Sequence, residues 1–155
     1  MKINHIEEKI CQSTEGKVLD LTQINDQVFS LGMMGQDFAV IPESSKVFSP
    51  IKGKVRQIFQ TKHAITLVSD NGLSVIVHIG LDTVELNGQG IDNKVTEEQI
   101  VDRNDLLANV NLEEIKRLGK ETEIIVVFQE LEGEVLLNID APEDGIVASV
   151  KYQVS

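Results

Sequence analysis

The chain has 155 residues, with 25 acidic against 14 basic side chains, a net charge of −11 and a single cysteine. That length holds one domain, able to bury roughly 70% of the surface its unfolded form exposes, so a core needs no covalent staples. The charge argues against a nucleic-acid partner, because no basic patch stands ready to neutralise phosphates, and the lone Cys11 excludes an internal disulfide and fits a reducing cytosol.

Residues 1–11 (MKINHIEEKIC) are mixed and charged, with no apolar stretch of signal-peptide type. No apolar run approaches the ~20 residues of a membrane helix. The expectation is a cytoplasmic protein that is not membrane-embedded. Further along, short Val-, Ile- and Leu-rich runs of strand length are broken by Gly, Pro, Asn and Asp. They fall at 17–21 (KVLDL), 38–41 (FAVI), 64–68 (AITLV), 73–78 (LSVIVH), 124–128 (IIVVF) and 134–139 (EVLLNI). One helix is signalled. Asn111 with Glu114 reads as a capping box, Leu112, Ile115 and Leu118 form a stripe, and Gly119 ends it.

A weak repeat, Pro-x-x-Gly-x-Val, occurs at Pro50, Gly53 and Val55 and again at Pro142, Gly145 and Val147. A decayed copy has Ser13, Gly16 and Val18. Each reads as a turn feeding a strand, with Pro fixing φ and Gly permitting positive φ. The fold class expected is all-β: one compact antiparallel β-sandwich or barrel-like domain over residues 1–155, with one or two short helices.

The most informative stretch, 59–86, contains two histidines on either side of Ser69-Asp70-Asn71-Gly72, a strong hairpin signal. A turn centred on Asn71-Gly72 puts His78 opposite Ile65, with His63 one diagonal step away. A turn centred on Asp70-Asn71 puts His63 directly opposite His78. Both registers place the two imidazoles on one face, whereas a three-residue loop would separate them. The histidine face would also carry Ile65, Leu67 and Ile76, and the opposite face Ala64, Thr66, Val68, Leu73, Val75 and Val77. An apolar rim keeps an imidazole neutral near pH 7, and the neutral ring has the nitrogen lone pair a nucleophile needs. The residues alone leave other roles open. A strand histidine commonly serves packing, and a histidine pair can begin a zinc site, though zinc needs three or four ligands and His5 is no obvious third.

Val77-His78-Ile79-Gly80-Leu81-Asp82-Thr83-Val84-Glu85-Leu86 resembles, across its whole length, the phosphorylation-site segment of the glucose-type enzyme IIA of the bacterial phosphoenolpyruvate-dependent sugar phosphotransferase system. Thr61-Lys62-His63-Ala64 is similar to that family's second-histidine segment. Gln27-Val28-Phe29-Ser30 through Met33-Met34-Gly35, and Ser49-Pro50-x-x-Gly53-x-Val55, match with unchanged spacing, and Val95, Val101 and Leu107 keep a downstream pattern. The likeness runs from about residue 16 to 150, with residues 1–12 poorly matched.

The resemblance implies a β-sandwich with both imidazoles in a shallow apolar depression. His78 would be phosphorylated through Nε2. His63, hydrogen-bonded to Thr61, would stabilise the phosphoryl group, and the Gly80 carbonyl would hold the other nitrogen of His78. Phe29, Met33, Met34, Phe59, Ile76 and Val84 match apolar positions that surround the site and dock partners, while Asp26 and Asp82 match acidic positions able to meet an arginine on the donor. The donor would be the phosphohistidine form of HPr, and the acceptor a cysteine of a sugar-specific enzyme IIB domain of a membrane permease. No cofactor and no metal is implied, and the family suggests a monomer.

Departures from the pattern include Gln12-Ser13, Asn25, Asp37 at a position suited to positive φ, Glu98 and Asn104 where turn glycines are typical, and Asn87 and Gln89 just after the site. They suggest altered partners rather than lost chemistry. The alternative is a regulatory module in which phosphorylation of His78 is a signal without sugar flux. A biotinyl- or lipoyl-type domain lacks its Met-Lys-Met or Asp-Lys-Ala tip here, and a related zinc peptidase lacks its ligand motifs.

Overall fold

A computed structural model describes residues 4–19, 36–81, 83–129, 133–137 and 146–154. The strands in chain order are β1 (Asn4–Cys11), β2 (Gly16–Leu19), β3 (Gln36–Pro42), β4 (Lys46–Phe48), β5 (Gly53–Ile58), β6 (Ala64–Ser69) and β7 (Ser74–Leu81). There follow a 3-10 turn (Thr83–Leu86), β8 (Ile91–Asn93), β9 (Ile100–Val101), β10 (Leu106–Val110), the helix α1 (Leu112–Arg117), β11 (Glu121–Gln129), β12 (Gly133–Leu137) and β13 (Ile146–Val154). All described strand pairings are antiparallel.

The richest apolar runs become central strands. β7 and β11 pair with each other in a seven-stranded sheet of order β2-β3-β11-β7-β6-β5-β9, and two three-stranded sheets, β1-β13-β12 and β4-β10-β8, complete a β-sandwich. One face of the large sheet carries Val40, Ile65, Leu67, Val75, Val77, Ile79, Ile124, Val126 and Phe128 into a common core with Val47, Leu107, Val147 and Val150 of the smaller sheets. Full burial of each such side chain stabilises by about 1.5–3 kcal/mol relative to exposure. Exposed ion pairs such as Lys54–Glu98 and Lys94–Asp92, both at 2.7 Å, contribute only ~0–1 kcal/mol each. The core therefore dominates.

The described residues of all six runs expected to be strands lie on strands, except Leu73 just before β7; positions 20–21 and 138–139 lie outside the described residues. The helix forms as the capping signal requires. The Asn111 side chain accepts from the Glu114 N–H at 3.1 Å, and Gly119 follows the C-cap with φ 82°. Only half of the capping box is used, since the Glu114 carboxylate turns to Arg117 and Gln89. The repeat also delivers strands: β2 and β5 begin at Gly16 and Gly53, and β13 begins just after Gly145. At Gly53 the reason differs from the one expected. Its φ is not positive, and glycine is required because a Cβ would run into the Val68 carbonyl of β6.

Residues 4–11 are more than a polar terminus. β1 pairs along its length with β13, and Ile10 enters the core fully buried. Oε1 of Glu8 accepts hydrogen bonds from Ser69 Oγ at 2.8 Å, Asn71 Nδ2 at 3.1 Å and Tyr152 Oη at 2.6 Å. The strand thus holds the loop of the β6–β7 hairpin against the C-terminal strand. Burial, together with the Glu8 carboxylate, pushes the Tyr152 phenol well above its ordinary pKa.

Candidate functional site

The β6–β7 hairpin closes with a loop of three residues, not two. Ser69 N–H donates to the Leu73 carbonyl at 2.8 Å and Gly72 N–H to the Ser69 carbonyl at 3.0 Å, leaving Asp70, Asn71 and Gly72 between them. Gly72 takes φ 96° while Asn71 stays at negative φ, its side chain tied to Glu8. A type I turn followed by a left-handed glycine has this form, in place of the type I′ turn expected from Asn-Gly. Consequently Ala64 faces His78 across the ladder.

This register corrects the assignment of faces on β6, since a one-residue slip turns every side chain over. Ile65 and Leu67 belong to the main core, and Ala64 and Thr66 share the face of His78. On β7 the expected division holds, with Val75 and Val77 in the main core and Ile76 beside His78. A second apolar cluster lines the histidine face: Ala39, Ala64, Ile76, Leu81, Ile125 and Val127, with Phe59 packed against it.

By strand parity alone, a three-residue loop would separate the histidines. They nevertheless meet, with ring centroids 5.0 Å apart and planes at 76°. His63 escapes the parity rule because it lies just outside β6, in the turn that joins β5 to it. Lys62 N–H donates to the Phe59 carbonyl at 2.8 Å, and Lys62 takes the left-handed φ of 61°, which swings the next side chain off the alternation. The Ile79 N–H then donates to the His63 carbonyl at 2.7 Å, fixing the end of that turn to β7.

Each ring has a defined partner at Nδ1. His78 Nδ1 lies 2.7 Å from the Gly80 carbonyl, which can only accept, so this nitrogen carries a proton, and in the neutral ring the lone pair is on Nε2. Gly80 has φ 73°, and a Cβ there would meet Thr83 Cγ2 at 2.5 Å and the Glu121 carbonyl at 2.6 Å. His63 Nδ1 and Thr61 Oγ1 share a hydrogen bond. His63 is 7% exposed, Phe59 packs edge-on against it at 5.4 Å, and burial holds its pKa below the ordinary value. The pair therefore presents two differently held rings in an apolar setting, with burial favouring the neutral form of His63.

Of the apolar partner-binding positions expected, Phe59 is half-buried at the rim, Ile76 is buried opposite Val127, and Val84 is 48% exposed on the 3-10 turn. Asp26, Phe29, Met33, Met34 and Asp82 lie outside the described residues. Glu98 and Asn104 take positive φ, 74° and 71°, as positions built for turn glycines should, and Asn87 has φ 51°. Asp37 does not: it sits within β3 opposite Val127 in the ladder. Among the described residues no three His, Cys, Asp or Glu side chains converge as a metal site. No described helix is long and apolar enough to cross a membrane. One residue missed in the sequence is Thr83, fully buried, whose hydroxyl donates to the Ile79 carbonyl.

Residues 8–133 match the family described as phosphoenolpyruvate-dependent sugar phosphotransferase system, EIIA 1. The chain belongs to this EIIA family. It is of the glucose type, and as an EIIA it is a component of that phosphotransferase system. Members of the family interact with HPr and with EIIB domains of sugar permeases. The "PTS system glucose-specific EIICBA component" of Streptococcus pneumoniae is 40% identical over 142 residues, 92% of this chain. The chain spans 19% of that relative's length. Among solved structures, the glucose permease IIA from Mycoplasma capricolum superposes with a TM-score of 0.80 at 30% identity, covering 93% of this chain and 96% of that one.

Proposed function

We propose that residues 1–155 form a single EIIA domain that acts as a cytoplasmic monomer, with His78 as its phosphoryl acceptor. The observation that carries this reading is the facing pair of imidazoles, 5.0 Å apart, with Nδ1 of His78 committed to the Gly80 carbonyl. The Nε2 lone pair of His78 attacks the phosphorus of the phosphohistidine of HPr. The P–N bond to HPr breaks as the P–N bond to His78 forms, and the HPr imidazole leaves with the electron pair. In the second step a cysteine thiolate of the EIIB domain attacks, and the P–N bond to His78 breaks as a P–S bond forms.

His63 supports both steps. When Nδ1 of this neutral ring accepts from the Thr61 hydroxyl, Nε2 carries a proton that can be donated to a phosphoryl oxygen, stabilising charge on the transferring group. The apolar cluster around Ile76, Ile125 and Val127 limits water at the labile P–N bond. Phe59, Ile76 and Val84 belong to the docking rim; the likeness to the family assigns partner docking also to Phe29, Met33 and Met34, and contact with basic side chains of the donor to Asp26 and Asp82, all outside the described residues. Exposure of Val84 beside the histidine segment fits such a surface.

The test is transfer of labelled phosphate from phosphoenolpyruvate, with enzyme I and HPr, to wild type, His78→Ala and His63→Ala. Acid-labile label on wild type, lost in His78→Ala and kept in His63→Ala, assigns His78 as acceptor. His63→Ala should then fail to pass the group to an EIIB domain. A folded wild type that takes no label overturns the reading.

A further inference from the structure

We infer that Thr83 is a positioning residue for the histidine pair, acting through the peptide of Ile79. This inference rests on the reading of His78 as acceptor and deepens it. Thr83 is fully buried in the first turn after β7, and its Oγ1 donates to the Ile79 carbonyl. Ile79 is also where the two imidazoles are joined through the backbone. Its N–H donates to the His63 carbonyl at 2.7 Å, and it stands between His78 and Gly80 in the chain.

Rotation about the bonds on either side of Gly80 would swing its carbonyl away from His78 Nδ1, because glycine has no side chain to resist it. Thr83 supplies that resistance through its hydroxyl, which ties the turn back to Ile79. Its Cγ2, 2.5 Å from where a Gly80 Cβ would lie, is one of the atoms that confine position 80 to glycine. The consequence is chemical: a fixed Gly80 carbonyl keeps the proton of His78 on Nδ1, and thereby keeps the lone pair on Nε2.

The experiment compares wild type, Thr83→Val and Thr83→Ser as 15N-histidine-labelled proteins, by NMR above the imidazole pKa and by phosphorylation from phospho-HPr. Val keeps the shape and loses the hydroxyl; Ser keeps the hydroxyl and loses the methyl. In Thr83→Val the His78 nitrogen shifts should move from one tautomer toward a mixture. The maximal phosphorylation rate should fall at least tenfold while KM for phospho-HPr changes less than twofold. Thr83→Ser should retain a single tautomer and a rate within twofold of wild type. A folded Thr83→Val with wild-type tautomer and rate overturns the inference. If Thr83→Val does not fold, Thr83→Ser decides, and a folded serine variant that loses the tautomer overturns it equally. The tautomer readout needs no phosphoryl transfer, so failure of the carrier reading, seen as unlabelled wild type, is distinct from failure here.

Discussion

The Gly80 carbonyl stands 2.7 Å from His78 Nδ1, and the backbone that holds it there can be built only from glycine. Gly80 combines φ 73° with less than van der Waals space on two sides, one of them the Glu121 backbone. Gly80→Ala therefore meets both a left-handed conformation and an immovable neighbour. The expected loss is about 2–4 kcal/mol in urea unfolding, from backbone strain and overpacking together. Phosphorylation of the folded fraction should fall as well, because relief of the clash rotates the acceptor carbonyl. A stable Gly80→Ala with full activity would show that the turn adapts.

The hydroxyl of Thr61 holds His63 in a similar manner, but with a side chain instead of a carbonyl. Thr61→Val removes the hydrogen bond and keeps the shape. Stability should change by only ~1 kcal/mol, the usual net contribution of one partly buried hydrogen bond. The kinetic effect should be larger in relation to it: about tenfold slower passage to an EIIB domain, corresponding to ~1.4 kcal/mol of transition-state stabilisation. Acceptance from phospho-HPr and passage to EIIB, timed separately by quench, measure the two steps.

Much of this site was legible in the sequence, and where it was not the reason is geometric. The run at 73–78 had to be a strand, and the division of β7 into core and site faces followed from alternation. The partner strand was placed one residue out because Asn71-Gly72 suggested a two-residue turn, whereas Glu8, 63 positions away, holds the Asn71 side chain in a wider loop. The histidines were expected together on strand parity and are together for a different reason, the left-handed Lys62. No local pattern marks a lysine as left-handed. Thr83 escaped notice because its importance lies in a backbone bond to Ile79, and β1 because three consecutive charged residues, Glu7, Glu8 and Lys9, separate Ile6 from Ile10 and break the apolar alternation of a strand. Likeness to a family supplied the site segments that periodicity could not.

Burial lowers the pKa of His63, and this fixes the sign of a pH effect on stability. Between the lowered folded value and the unfolded value of about 6.5, the unfolded chain binds the proton and the folded chain does not. The ring therefore costs no stability above about pH 6.5 and destabilises progressively as pH falls through that window, with no further change below the folded pKa. Glu123 works in the opposite direction, because burial raises its pKa and the folded state then binds the extra proton as pH falls. The difference between wild type and His63→Gln isolates the histidine. Urea midpoints at pH 7.5 and 5.5 should show wild type losing more than His63→Gln on acidification, at equal m-values. Parallel losses would mean that His63 titrates as it does in the unfolded chain.

Glu8 offers a test of the fold that leaves the chemistry aside. One carboxylate oxygen accepts from Ser69, Asn71 and Tyr152, so a single side chain of β1 joins the hairpin loop to β13. Hydrogen bonds to a charged group contribute about 1.5–3 kcal/mol each when fully desolvated, but the bond from Asn71 is exposed and the other two are only partly buried at the Glu8 end. Glu8→Ala should therefore cost about 2 kcal/mol in total rather than the sum of three full bonds. The Tyr152 phenol should titrate at lower pH in the variant, because the carboxylate that helps to hold it protonated is gone. Spectrophotometric titration of the lone tyrosine reads that directly. Because His63 and His78 lie at the far end of β6 and β7 from this loop, phosphorylation at 25 °C should stay within twofold of wild type. A larger loss would mean that the hairpin register itself, and with it the placement of His78 opposite Ala64, depends on Glu8.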